Sequence, residues 1–195
     1  DCFGTTVTLG GQSFTRIRRD TYPSGGNLTE WWGLANPTSG AGTITANTAG
    51  SCFFLRGFAI AFNNVSQSSL TGTDNGTLDQ VGSSTISTSV TNLIDNAWVL
   101  DAALTANGDG LTVGAGQTQR FNSTFSVGGF DQTAAASSVG PLAASVTQAM
   151  QWSQNPPAAQ KDYVQSVITL RPSSSGSGGT SVIQWTDNSA DETGF

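Results

Sequence analysis

Apolar residues in this chain come in short runs of β-branched and aromatic side chains, each closed by a cluster of Gly, Ser, Asn or Asp. That punctuation leaves little room for helices, which need apolar positions three and four apart sustained over several turns. The pattern predicts strands over 5–9, 13–19, 29–36, 42–47, 53–63, 83–90, 97–105, 118–126, 144–153 and 164–170. Only 142–151 also offers a weak helical stripe, through Val146, Ala149 and Met150. Many short strands at this spacing suit two antiparallel sheets packed face to face. Two segments read as core. In one, Phe54, Phe58, Ile60 and Phe62 share a face; in the other, Trp98, Leu100 and Ala102 do. Full burial of each large apolar side chain contributes about 1.5–3 kcal/mol.

Composition removes several chemistries. The chain has no His, which excludes Ser-His-Asp and Cys-His catalysis and imidazole metal sites. Its 7 Lys plus Arg stand against 13 Asp plus Glu, a net charge of -6 that disfavours a nucleic-acid partner. Apolar runs are too short for a membrane-spanning helix. Cys2 and Cys52 have no metal-like spacing. They read either as one disulfide, worth roughly 4 kcal/mol in the chain-entropy model, or as two buried thiols. The disulfide fits an extracellular compartment, and export would then mean a chain already trimmed of its leader.

After Leu170 the composition changes. Arg171-Pro172 ends the last core strand, and a Gly/Ser linker over 173–180 leads into a tail of 181–195 whose apolar part is Ser181-Val182-Ile183-Gln184-Trp185-Thr186. The linker has an r.m.s. span of about 15 Å and a stretched reach near 27 Å. A lone strand is not a domain and needs a partner sheet.

The segments Val7-Thr8-Leu9-Gly10-Gly11-Gln12-Ser13-Phe14-Thr15, Glu30-Trp31-Trp32-Gly33-Leu34-Ala35-Asn36-Pro37, Ala97-Trp98-Val99-Leu100-Asp101, Gly114-Ala115-Gly116-Gln117-Thr118-Gln119-Arg120-Phe121 and Val164 to Pro172 resemble, in that order, motifs of a module repeated in large secreted bacterial proteins and some phage proteins. The resemblance covers about residues 5–172. It implies a jelly-roll-like β-sandwich, surface or virion architecture, adhesion and tandem repetition, and it transfers no catalytic residue. The module usually carries a further apolar strand before its first motif, where this chain has only Asp1 to Gly4. Trp185 to Phe195 is similar to the start of a fibronectin type III domain.

These readings converge on two explanations of the tail. A sandwich short of a strand exposes an acceptor groove, and a tethered strand through Val182, Ile183, Gln184 and Trp185 fills such a groove in the next subunit by β-strand addition. A head-to-tail contact of that kind builds a filament. Otherwise the tail is the stub of a further β domain.

Other features carry a sharp and a plain reading side by side. Arg16 and Arg18, on one face of a strand, could meet an acidic partner or sit on a solvated edge beside Asp20. Trp31-Trp32 points one indole inward and one outward; the outward ring, assigned to Trp31 as a surface contact, could stack on a glycan or be partly covered. The loops 74–79 and 107–110 hold oxygen ligands without calcium-loop spacing and read as turns. Gly114-Ala115-Gly116 lacks the Lys and helix of a phosphate loop. Paired carboxylates of a glycosidase type find no support in a chain with only Glu30 and Glu192 as glutamates.

The expectation is therefore an all-β, antiparallel, jelly-roll-like β-sandwich over 1–172 with a C-terminal linker and extra strand. It is non-enzymatic and extracellular, with no catalytic, cofactor or metal residues, and is a homo-oligomer or polymer. The alternative is a glycan-binding or adhesion module.

Overall fold

The structure, a computed structural model, describes residues 3–22, 27–50, 52, 55–79, 84–106, 110–127, 130–155, 163–173 and 180–183. Its regular elements are all strands: β1 Phe3–Leu9, β2 Gln12–Ser13, β3 Thr15–Thr21, β4 Leu28–Gly33, β5 Ile44–Ala49, β6 Ile60–Asn63, β7 Thr71–Asp79, β8 Thr85–Leu93, β9 Ala97–Ala106, β10 Gly110–Val113, β11 Thr118–Val127, β12 Phe130–Leu142, β13 Ser145–Asn155, β14 Tyr163–Leu170 and β15 Thr180–Ile183. Every pairing is antiparallel. The fold is an antiparallel β-sandwich, as the strand pattern predicts.

At its centre lies a five-stranded sheet of order β11-β12-β9-β14-β7. Both faces are covered, and the alternation along β9 and β14 divides the core between them. Odd-numbered Val99, Ala103, Tyr163 and Val167 pack towards the three-stranded sheet β10-β13-β8, against Ile86, Val90, Met150 and Trp152. Even-numbered Leu100, Ile168 and Leu170 pack towards Trp31 of the β3–β4 hairpin and Phe62 of β6. The hairpin in turn uses its outer face, Trp32 with Leu34, to cover Val7, Leu9, Phe14 and Ile44 of the β1-β2-β5 side. This stack explains why all eight residues of β14 are buried, polar Gln165, Ser166 and Thr169 included.

Several boundaries depart from the sequence expectation. The run 53–63 is strand only from Ile60; Phe53 and Phe54 lie outside the described residues. Phe58, Ile60 and Phe62 nevertheless join one cluster, as do Trp98, Leu100 and Ala102. The segment 74–79, read as a turn, is part of β7, where its Asp, Asn and Gly residues pair with β14. That correction has a tertiary cause: an edge strand whose partner is fully buried takes its hydrogen bonds whatever its own propensity. The small-residue run of β12 gave no strand signal either. It is sandwiched between β9 and β11, whose side chains supply the bulk it lacks. The weak helical stripe of 142–151 is overruled by ladders from β13 to β8 and β10.

Among the described residues one carboxyl group is completely buried, and it has a full set of partners. Asp101 on β9 is fully buried. Its Oδ1 accepts from the Ser137 backbone N–H at 2.9 Å and the Ser137 hydroxyl at 2.5 Å. Its Oδ2 accepts from the Trp152 indole at 2.6 Å and the Gln165 amide at 2.7 Å. The same Gln165 accepts from the Thr88 hydroxyl at 2.6 Å, and Gln117 donates to Ser137 at 2.7 Å. One carboxylate thus ties β12 and β14 of the central sheet to β13 and β8 of the covering sheet. Burial pushes its pKa up to about 6, against four hydrogen bonds that pull it down.

A carboxyl raised in the folded state adds most stability below its unfolded pKa, near 3.8, and loses that excess as pH rises through about 6. Asp101→Asn turns an acceptor into a donor facing donors and should destabilise the fold by about 2 kcal/mol at neutral pH. Urea denaturation of both chains should show the gap largest near pH 4 and narrowing by pH 7; a gap that widens over that range would refute the assignment.

Candidate functional site

The tail strand lies along its own chain. β15 pairs with β6 in a two-stranded sheet, Thr180 opposite Asn63 and Ile183 opposite Ile60. Just upstream, Pro172 bridges Val65, the Ser66 N–H donates to Arg171 O at 2.9 Å, and the Ser173 N–H donates to Asn64 O at 2.8 Å. Asn64 and Asn63 are neighbours, yet their partners are Ser173 and Thr180. Residues 174–179 are therefore an insertion in an otherwise continuous antiparallel pairing along 60–65. They lie outside the described residues, as do Gln184 and Trp185 of the expected inter-subunit strand. Backbone pairing of Val182 and Ile183 is with Ala61 and Ile60 of the same chain.

Beside β6 runs an open groove of about 610 Å³. Trp98, Pro141 and Pro172 supply apolar wall, and Asn63, Asn64 and Asn96 supply amides. Arg120 of β11 and Arg171, one residue past β14, also line it. The Arg120 side chain is oriented by its Nε, which donates to the Ser138 hydroxyl at 2.8 Å. Trp98 is wedged between the Phe62 ring, 5.2 Å away centroid to centroid, and Gly140, where a Cβ would come within 2.8 Å of the indole. Sequence reading did not find this groove, because its lining comes from several separate strands and loops. The unassigned signal was Arg120 in the run Thr118-Gln119-Arg120-Phe121.

The hairpin residues singled out from the sequence behave otherwise. A β-bulge at Ile17 shifts the β3–β4 register, so that Arg16 faces Trp32 whereas Arg18 faces Trp31. One extra residue flips the alternation, and Arg16 and Arg18 do not share a face. Arg16 sits over the Trp32 ring and 3.9 Å from Glu30, which also holds Arg19 and the Gly4 N–H. Arg18 forks onto Asp20 at 2.6 and 2.7 Å and also reaches Asp74. Its pKa is raised, first by the Asp20 hydrogen bond, with Asp74 adding to it. Asp20 further accepts from Ser166 of β14, whose hydroxyl also meets Thr29. Neither indole is outward: Trp31 is 2% exposed and donates to Ser166 O at 3.3 Å, and Trp32 is buried on the opposite side. The surface-contact expectation for Trp31 is thereby corrected; a strand between two packed layers has no outward face.

Cys52 is disulfide-bonded; Cys2, the chain's only other cysteine, lies outside the described residues. Of the second suspected oxygen-rich loop, 107–109 is outside them too, and Gly110 begins β10. Compared with family models, curated proteins and solved structures, the chain matches none.

The Asp20 carboxylate sits directly over Gly76 of β7, so a Cβ there would overlap it. Gly76→Ala should therefore displace Asp20 from Arg18 and Ser166 and destabilise the fold by about 1–3 kcal/mol. Guanidinium denaturation reads this as a lower midpoint; an unchanged midpoint would mean that the hairpin is not held by this contact.

Proposed function

We propose that this chain is a non-enzymatic extracellular structural subunit that assembles by β-strand addition, its C-terminal strand acting as donor and β6 as acceptor edge. The observation that carries the reading is the register of the tail, whose strand pairs with β6 across a six-residue insertion, 174–179. The flanking partners, Asn63 at the end of β6 and Asn64 just past it, are consecutive residues, their Cα atoms about 3.8 Å apart. The segment from Ser173 to Thr180 can stretch to about 25 Å. That slack is unnecessary for pairing within one chain and sufficient to reach an adjacent copy.

Mass action sets when exchange occurs. A strand on a short Gly/Ser tether meets its own edge at an effective concentration in the mM range. A dilute subunit therefore keeps its tail on its own β6, and exchange is favoured where neighbours are held at comparable local concentration, as on a surface or a growing end. Self-capping also protects the β6 edge from unplanned pairing. The disulfide at Cys52 supports an oxidising compartment, and the resemblance of 5–172 to repeated surface modules supports an array. Asp20, Glu30 and Asp74 are engaged by arginines and Asp101 by the buried network, which favours structural over catalytic roles for these acids.

Size-exclusion chromatography with negative-stain microscopy tests the proposal on the full chain and on one lacking 173–195. The full chain should be monomeric when dilute and polymerise when concentrated; the shortened chain should fail to polymerise and should bind a peptide of residues 180–195. Identical assembly with and without the tail, or no uptake of the peptide, would overturn it.

A further inference from the structure

We infer that the groove beside β6 is a binding site for an acidic saccharide, with Arg120 and Arg171 holding the carboxylate. This inference is independent of strand exchange, since it rests on side chains and not on the β6 backbone. The argument begins with the basic residues. The chain has 7 Lys plus Arg in a background of net charge -6. Arg16, Arg18 and Arg19 are paired with Glu30, Asp20 and Asp74. Arg56 lies over the Phe125 ring, and Lys161 is outside the described residues. The remaining two, Arg120 and Arg171, form no ion pair among the described residues, and both line the same groove.

Two guanidiniums left without acids in a predominantly acidic chain mark a site for an anion. A guanidinium fork matches a carboxylate in two parallel hydrogen bonds. The other lining groups narrow the ligand further. Asn64 carries an amide that both donates and accepts, as sugar hydroxyls require, and Asn96, whose Nδ2 donates to Asp95, adds an amide oxygen. Pro141 and Pro172, with Trp98 packed behind them against Phe62 and Gly140, offer apolar wall for the C–H face of a ring. A volume of about 610 Å³ lies within the range of small-ligand sites. The net negative charge of the chain repels long polyanions at a distance, so the ligand is a short, sparsely charged one. An extended peptide would instead read the β6 backbone, and that edge is paired with β15.

Digalacturonate is a suitable probe, with the neutral digalactose and acetate as comparators. Isothermal titration and amide NMR on the full chain at low salt should detect digalacturonate, with shifts at Asn63, Asn64 and the Trp98 indole. Neutral digalactose and acetate should each bind at least tenfold more weakly. Arg120→Gln and Arg171→Gln should each weaken digalacturonate at least tenfold while the melting profile stays cooperative. Because Arg120 also bonds Ser138, Arg171→Gln decides the matter if Arg120→Gln fails to fold. Equal binding of acetate would reduce the groove to a simple anion site and overturn the inference. So would equal binding of digalactose, shifts located elsewhere, or undiminished affinity in Arg171→Gln.

Discussion

Asp101 is the group around which the layers are organised. A carboxylate at the centre of a sheet covered on both sides is unfavourable unless every lone pair is engaged. Here four donors engage it, from the strands on either side of it and from the opposing sheet. The apolar residues of β9, β14, β8 and β13 would pack in more than one relative position if contact were all that counted, because dispersion and burial are not directional. Hydrogen bonds to a single buried carboxylate are directional, and they set which residue of one sheet stands over which residue of the other. Trp152 shows the coupling: its ring is part of the core and its N–H ends on Asp101.

On the other face of the central sheet the same role falls to exposed and half-buried charges. Asp20 joins Arg18 to Ser166, and Gly76 leaves it the space. The bulge at Ile17 divides the labour of the arginines between the two faces of the hairpin. Without that extra residue, Arg16 and Arg18 would compete for one side of the hairpin. The hairpin is consequently both a cover for the central sheet and a floor for the β1-β2-β5 sheet.

The β6 edge is the place where architecture meets the proposed function. β6 contributes Phe62 to the core, has β15 as its strand partner, and borders the groove that holds Arg120 and Arg171. Strand exchange as proposed would leave the layers intact, because β6 is fastened to the core through Phe62 and pairs with the tail through its backbone. Groove and edge use different atoms of the same segment, so the proposed assembly and the proposed ligand binding do not compete for the same groups.

How much of this was legible in the sequence follows from which interactions are local. Alternation of apolar and polar residues and the Gly, Asn and Ser punctuation depend on neighbours one to four positions apart, and they indicated an all-β chain, eleven of its strands (the tail strand included) and the shared faces around Leu100 and Phe62. Asp101 falls on the face opposite Trp98, Leu100 and Ala102, where alternation expects a polar residue, so neither its burial nor its three partners, Ser137, Trp152 and Gln165, were legible. Strands of small or polar residues, β7 and β12, exist because buried neighbours hydrogen-bond them. The fate of Trp31, the opposite facing of Arg16 and Arg18, and the placing of Arg120 and Arg171 along one groove were decided only by packing. Local patterning determines whether a segment is a strand and which of its faces is apolar; a bulge, a covering layer or a second sheet, each supplied by distant residues, determines what that face meets.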